Sequence, residues 1–192
     1  MSSHGHDDFA PIAARVAALE TLLVERGVID PHVVDAVMDG MAASFGPMNG
    51  ARVVARAWTD PAYRDRLLGD PAGALADFDL QAGEMAVVAN TTAVHNVVVC
   101  SLCSCYPWPL LGIPPLWYKS LAYRSSMVRE ARATLREMGT DIPADVEIRV
   151  WDSSAEVRYL VLPQRPKDTE DLDEEQLASL VTRDSMIGVE TL

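Results

Sequence analysis

Val94–His95–Asn96–Val97–Val98–Val99–Cys100–Ser101–Leu102–Cys103–Ser104–Cys105 is the stretch on which the reading of this chain turns. Its first half is dominated by β-branched side chains, which suit the crowded, pleated surface of a sheet. It predicts a strand over Val94 to Cys100 that delivers Cys100 directly into a loop carrying two more cysteines. These three are all the cysteines of the sequence, an odd number confined to six positions. Such a cluster is no disulfide framework, and a reducing compartment leaves its thiols available to a metal.

The step Cys100-x-x-Cys103 alone is a common zinc half-site. The further step to Cys105 forces the intervening amides close to any bound ion. Deprotonated backbone nitrogens could then join the thiolates, a strong donor set that suits a low-spin trivalent ion with one position left open. A closed zinc site needs a fourth side-chain ligand, and there is no fourth cysteine. His95 is the nearest alternative, but its odd spacing from Cys100 puts it on the opposite face of an ideal strand, as a core or surface histidine. His4, His6 and His32 lie far off. Spacing alone leaves both the trivalent claw and a structural zinc staple open.

Working outward, the upstream half reads as helical. Ile12, Val16, Leu19, Leu22 and Leu23 recur on one helical face, with Gly27 as a stop. Asp30-Pro31 opens a second helix to about Met41, Asn49 to Trp58 forms a third, and Asp60-Pro61 starts a fourth ending near Gly69. A short turn of helix spans Pro71 to Phe78. After Gly83 the pattern changes to a strand over Met85 to Ala89, then the strand into the cysteines. Pro107, Pro109, Pro114 and Pro115, interleaved with Trp108 and Trp117, predict an irregular loop without helix or sheet. Ser126 to Met138 reads as a helix capped by Gly139. Glu147 to Trp151 and Val157 to Leu162 read as two strands paired through an Asp152–Ser153–Ser154 turn. The acidic run Asp168 to Glu175 leads into a last helix to about Val181.

The fold class predicted is therefore α+β: a helical N-terminal portion followed by a layered α-β-β-α body carrying the metal claw loop. Residues 1–9 read as a disordered leader, 10–80 as a helical arm and 81–192 as the metal-binding body, one family domain overall.

Sixteen basic residues are dispersed among 28 acidic ones, for a net charge of −12. Nucleic acid and anionic membranes need clustered Lys and Arg, so neither is an expected partner. No apolar run is long enough to span a bilayer, and the polar, acidic N-terminus is unlike a signal peptide. A cytoplasmic location is expected.

The cysteine run and its flanks resemble the nitrile hydratase α subunit. The matching segments are Val99 to Cys105, Tyr106–Pro107–Trp108–Pro109, Leu111–Gly112–Ile113–Pro114–Pro115, Trp117–Tyr118–Lys119 and Val161–Leu162–Pro163–Gln164–Arg165–Pro166, with Asn49–Gly50–Ala51 and His95–Asn96–Val97–Val98–Val99 upstream. The resemblance implies hydration of nitriles to amides at one non-haem, non-corrin Co(III) or Fe(III). Cys100, Cys103 and Cys105 would ligate through sulfur, Ser104 and Cys105 through backbone nitrogen. Cys103 would be oxidised to sulfinate and Cys105 to sulfenate, the latter acting as nucleophile or base. Ser101 and Ser104 would hydrogen-bond the oxidised sulfurs; Trp108 and the proline loop would wall the pocket, the even alternative being that Trp108 and Trp117 are simply core aromatics. Gln81 stands near a family glutamine, within Gln81-Ala82-Gly83-Glu84 where the family shows Gln-Gly-Glu. A separate β subunit would supply arginines to the oxidised cysteines, and a metallochaperone or activator would load the metal. Ser101 matches the iron type; Tyr106 and Ala122–Tyr123–Arg124–Ser125 match the cobalt type, to which the balance leans. A thiocyanate hydrolase-like subunit shares the claw and is the alternative, with a non-catalytic zinc-stapled module third.

Overall fold

The computed structural model describes residues 10–103 and 105–192. The leader expected over 1–9 and the ligand expected at Ser104 lie outside these residues. The chain divides into two compact units, one ending at Ser44 and one spanning Phe45 to Leu192. The first contains helices α1 (Ala10–Glu25) and α2 (Pro31–Ser44), with Gly27 ending the first turn sequence in a left-handed conformation (φ 64°).

The second unit is the α+β body. Helix α3 (Pro47–Thr59) is followed by α4 (Pro61–Gly69) and α5 (Pro71–Leu75) with a 3₁₀ turn over Ala76–Phe78. Asp60 and Asp70 cap α4 and α5, each accepting from a backbone N–H three residues on, with proline in the first helical position. Strand β1 (Met85–Ala89) and β2 (Val94–Val99) precede the cysteine loop. Next come α6 (Trp108–Leu111), α7 (Leu116–Lys119), α8 (Leu121–Glu137), β3 (Glu147–Asp152), β4 (Arg158–Leu162), α9 (Glu174–Leu180) and α10 (Arg183–Ile187). Helical segments thus dominate before residue 80 and mixed structure follows, while α3 to α5 fold into the same compact unit as the strands.

The strands pair differently from the expected hairpin. β3 runs parallel to β2, with Val99 opposite Asp152, and β4 runs parallel to β1, with Met85 opposite Arg158. Burial decides this. Five consecutive residues of β2, His95 to Val99, are buried, the two-faced pattern of a parallel strand rather than of a half-exposed hairpin. The turn after β3 is real but serves to switch sheets: Ser153 N–H still donates to Val99 O (2.7 Å), and the Ser154 hydroxyl then accepts from the backbone of Glu156 and Val157.

Three further expectations need correction. The proline-rich stretch holds two single helical turns, because Pro109 occupies the first turn of α6 and Pro115 precedes α7, places where a missing N–H costs nothing. Helix α8 starts at Leu121 rather than Ser126, since Ser120 accepts from Tyr123 N–H as its N-cap. A final helix, α10, opens with a Thr182/Ser185 capping box beyond the acidic run.

One continuous core joins α3, α6, the sheets, α8, α9 and α10 through Val53, Val54, Val97, Val99, Leu110, Leu111, Met127, Leu160, Leu177 and Met186. Gly50 lets α3 approach closely: a Cβ there would lie 2.6 Å from Met186 Sδ and 2.7 Å from Leu110 O. Neighbouring Asn49 donates to Pro109 O (3.0 Å), so the upstream motif fastens α3 to the helix that follows the cysteines.

His95 is a core residue, as its spacing suggested. It is buried, its Nε2–H donates to Gly188 O (2.8 Å), and its Nδ1 faces the Asn90 amide (3.4 Å). Burial lowers its pKa below 6.5 against the opposing carbonyl contact. The unfolded chain therefore binds the extra proton first, and the stability due to neutral His95 is present above pH about 6.5 and lost as pH falls below it. Urea titrations of the wild type and His95→Gln are expected to show a stability difference that shrinks from pH 7.5 to 5.5. A difference independent of pH would contradict this role.

Candidate metal centre

The centre is built where β2 ends. Cys100 is fully buried by the strand's own position, Cys103 is exposed and Cys105 is half-buried as the chain turns back toward α6. Their sulfurs all lie within 4.8 Å of one another, with Cys100 to Cys103 at 3.2 Å and Cys103 to Cys105 at 2.9 Å. These separations are well beyond an S–S bond of about 2.05 Å. Cys103 N–H also points at Cys100 Sγ (3.3 Å), the signature of a tightly curled loop.

Three side chains from outside the loop hold its backbone. Asp152, the last residue of β3, accepts from Ser101 N–H (2.8 Å) and from the Ser101 hydroxyl (2.5 Å). Arg124 of α8 donates from Nη1 to Cys103 O (2.9 Å). Tyr118 of α7 donates to Cys105 O (3.0 Å). Burial pushes the phenol of Tyr118 far above its ordinary pKa, so it keeps the proton it donates. Tyr106, Trp117, Tyr118 and Tyr123 form an edge-to-face aromatic cluster behind the loop, and Tyr123 donates to Val98 O (2.7 Å).

On its open side the loop faces a cavity of about 270 Å³ lined by Cys103, Cys105, Tyr106, Trp108 and Arg158. Trp108, at the start of α6, is 39% exposed, so it is a wall residue rather than a core aromatic. Gln81 is exposed in the segment before β1 and is not among the lining residues. The hydroxyl of Ser101 is engaged with Asp152 rather than with a sulfur.

The sulfur-rich donor set is compatible with a low-spin trivalent ion. Among the described residues the cluster contains three sulfurs and no imidazole or carboxylate, so a four-ligand zinc staple is incomplete. The hydrogen bond with Cys103, then burial and the neighbouring sulfurs, push the Cys105 thiol up to about 12. Bringing all three sulfurs to the anionic form in this space therefore calls for a cation between them.

Several of these residues were not singled out by the sequence reading. Asp152 was read only as a turn residue, and Arg124 only as part of a segment distinguishing metal types. Neither carries a local signal, because parallel pairing places Asp152 opposite Val99 and the first turn of α8 brings Arg124 back to the loop.

An α+β body presenting a three-cysteine claw on an open cavity defines a metalloprotein whose metal is held to react. Residues 10–190 match the family model described as "Nitrile hydratase, alpha chain". The low-molecular weight cobalt-containing nitrile hydratase subunit alpha of Rhodococcus rhodochrous is 55% identical over 181 residues, 93% of this chain and 87% of that one. A double mutant of the Fe-type nitrile hydratase from Comamonas testosteroni Ni1 superposes with a TM-score of 0.84 at 43% identity, covering 95% of this chain and 91% of that one. The thiocyanate hydrolase subunit gamma of Thiobacillus thioparus is more distant, 39% identical over 186 residues, 90% of this chain and 76% of that one. This chain belongs to the nitrile hydratase α-chain family.

Asp152→Ala removes the acceptor of the exposed Ser101 N–H, which water can replace, and is expected to cost about 0.5–1.5 kcal/mol in urea unfolding. It should also speed the reaction of the claw cysteines with a thiol reagent in the metal-free chain. Unchanged thiol reactivity would show that Asp152 does not hold the loop.

Proposed function

We propose that this chain is the α subunit of a nitrile hydratase, a hydro-lyase that adds water to a nitrile to give the amide. The observation that carries the reading is the convergence of the Cys100, Cys103 and Cys105 sulfurs within 4.8 Å, with Cys103 and Cys105 on the wall of a cavity. Cys100, Cys103 and Cys105 would hold the metal through sulfur, and Ser104 and Cys105 through backbone nitrogen. A bound trivalent ion supplies Lewis acidity toward a nitrile nitrogen.

The remaining work falls to the protein. Cys103, as sulfinate, and Cys105, as sulfenate, present oxygen to the cavity. The Cys105 oxygen either attacks the nitrile carbon or takes the proton of the water that does. Tyr106 and Trp108 give the cavity an apolar wall for the carbon substituent of the nitrile. Arg158 puts a guanidinium in the same cavity, which favours oxidised, anionic sulfur. Tyr118 keeps Cys105 in place by its bond to the carbonyl, while Ser101 anchors the loop through Asp152.

Cobalt is the favoured metal, from the cobalt-containing relative at 55% identity, with iron as the alternative. A separate β-type subunit would supply further arginines to the oxidised sulfurs. Leu102 in the claw loop and Leu121 beside Ser101, at 89% and 77% exposure, support a covering partner. A metal-loading activator and a cytoplasmic setting complete the proposal. No helix among the described residues is long and apolar enough to cross a membrane.

The test compares the metal-loaded wild type with Cys105→Ala, assembled with the β subunit, for amide production from alkyl and aromatic nitriles. Wild-type turnover is expected, with a loss of at least about 10²-fold in the variant. Full activity in Cys105→Ala would sink the role of Cys105, and hydrolysis of thiocyanate without hydration of nitriles would favour the more distant relative's chemistry.

A further inference from the structure

We propose that Arg124 is a positioning residue that prepares the Cys103–Ser104 peptide to act as a metal ligand. The proposal rests on the metal reading given above. Arg124 lies in the first turn of α8 and reaches back to donate from Nη1 to the Cys103 carbonyl oxygen at 2.9 Å. That carbonyl and the Ser104 nitrogen are two ends of one amide, joined by the resonance that keeps the peptide planar. When the nitrogen donates to a cation as an anionic ligand, part of its negative charge resides on the carbonyl oxygen. A guanidinium at that oxygen meets this charge directly, through a charge-assisted hydrogen bond.

Two observations indicate that the charge of Arg124 is directed at the claw. Among the described residues no carboxylate lies within ion-pair distance of it, although the chain has 28 acidic residues. Its Nε is buried with no hydrogen-bond partner among the described residues, so no wider network of those residues accounts for its bond to the loop. The other two tethers differ in kind. Asp152 is anionic and grips Ser101. Tyr118 is neutral and acts on the carbonyl of Cys105, one end of the peptide to Tyr106, whose nitrogen is not an expected ligand. Of the three, only Arg124 couples positive charge to a ligating amide. Tyr118 therefore provides a comparison, a neutral tether of similar length that holds Cys105 without bringing charge to a ligating amide.

The experiment uses the full chain carrying Arg124→Lys, Arg124→Gln, Arg124→Leu or Tyr118→Phe, each reconstituted with limiting cobalt. Cobalt per chain, the position of the sulfur-to-cobalt charge-transfer band and the thermal unfolding midpoint are measured. Arg124→Gln and Arg124→Leu are expected to bind cobalt about 10–100-fold more weakly and to shift the band. Arg124→Lys should recover most of the binding, and Tyr118→Phe, which loosens Cys105 without removing charge, should weaken binding and shift the band less than Arg124→Gln. If Arg124→Leu fails to fold, the Lys and Gln variants still decide the matter. Wild-type binding and spectrum in Arg124→Gln would overturn the proposal, as would Arg124→Lys behaving no better than Arg124→Gln. A wild-type chain that takes up neither cobalt nor iron would instead overturn the metal reading itself.

Discussion

Like charges resist being gathered, and this fold gathers three sulfurs. Two thiolates 3.2 Å apart repel by about 1 kcal/mol in bulk water and about 5 kcal/mol at an effective dielectric near 20. The loop therefore cannot hold its reactive form by local preference. It is held from outside, by Asp152 at the end of β3, Tyr118 on α7 and Arg124 on α8. Each depends on a remote part of the fold: the parallel β2–β3 pairing for Asp152, the aromatic cluster for Tyr118 and the Ser120 cap for Arg124. The α3–α6 contact through Gly50 and Asn49 anchors the other end of the loop.

This dependence explains what could be read from the sequence. The β-branched run, the cysteines at its end and the Asp-Pro helix starts are local signals, and each led to an element where expected. The opposite-face position of His95 followed from the strand period, and the structure buries it against Gly188. Strand pairing is not local. The Asp152–Ser153–Ser154 turn was recognisable, but only the burial of both faces of β2 shows that it joins two sheets. The prolines were correctly seen as rigid, yet one-turn helices use proline where no donor is needed.

The site follows the same division. Cys100, Cys103, Cys105 and Trp108 could be named from spacing and resemblance; the structure gathers the three sulfurs and brings Cys103, Cys105 and Trp108 to one cavity. Arg124, Asp152 and Arg158 could not, because their roles arise from contacts across 21 to 55 positions of chain. In a chain of net charge −12, two guanidiniums attend the cysteines: Arg158 in the cavity and Arg124 on the loop backbone. A metal centre rich in anionic donors gains from both, since each offsets charge that the ion alone does not neutralise.

The most direct test of the account is elemental analysis of the purified chain produced with cobalt and iron both available. The claw described here predicts about one cobalt or iron per chain, lost when Cys103 or Cys105 is replaced by alanine. Zinc at that stoichiometry, with neither cobalt nor iron, would contradict a claw built for a trivalent ion.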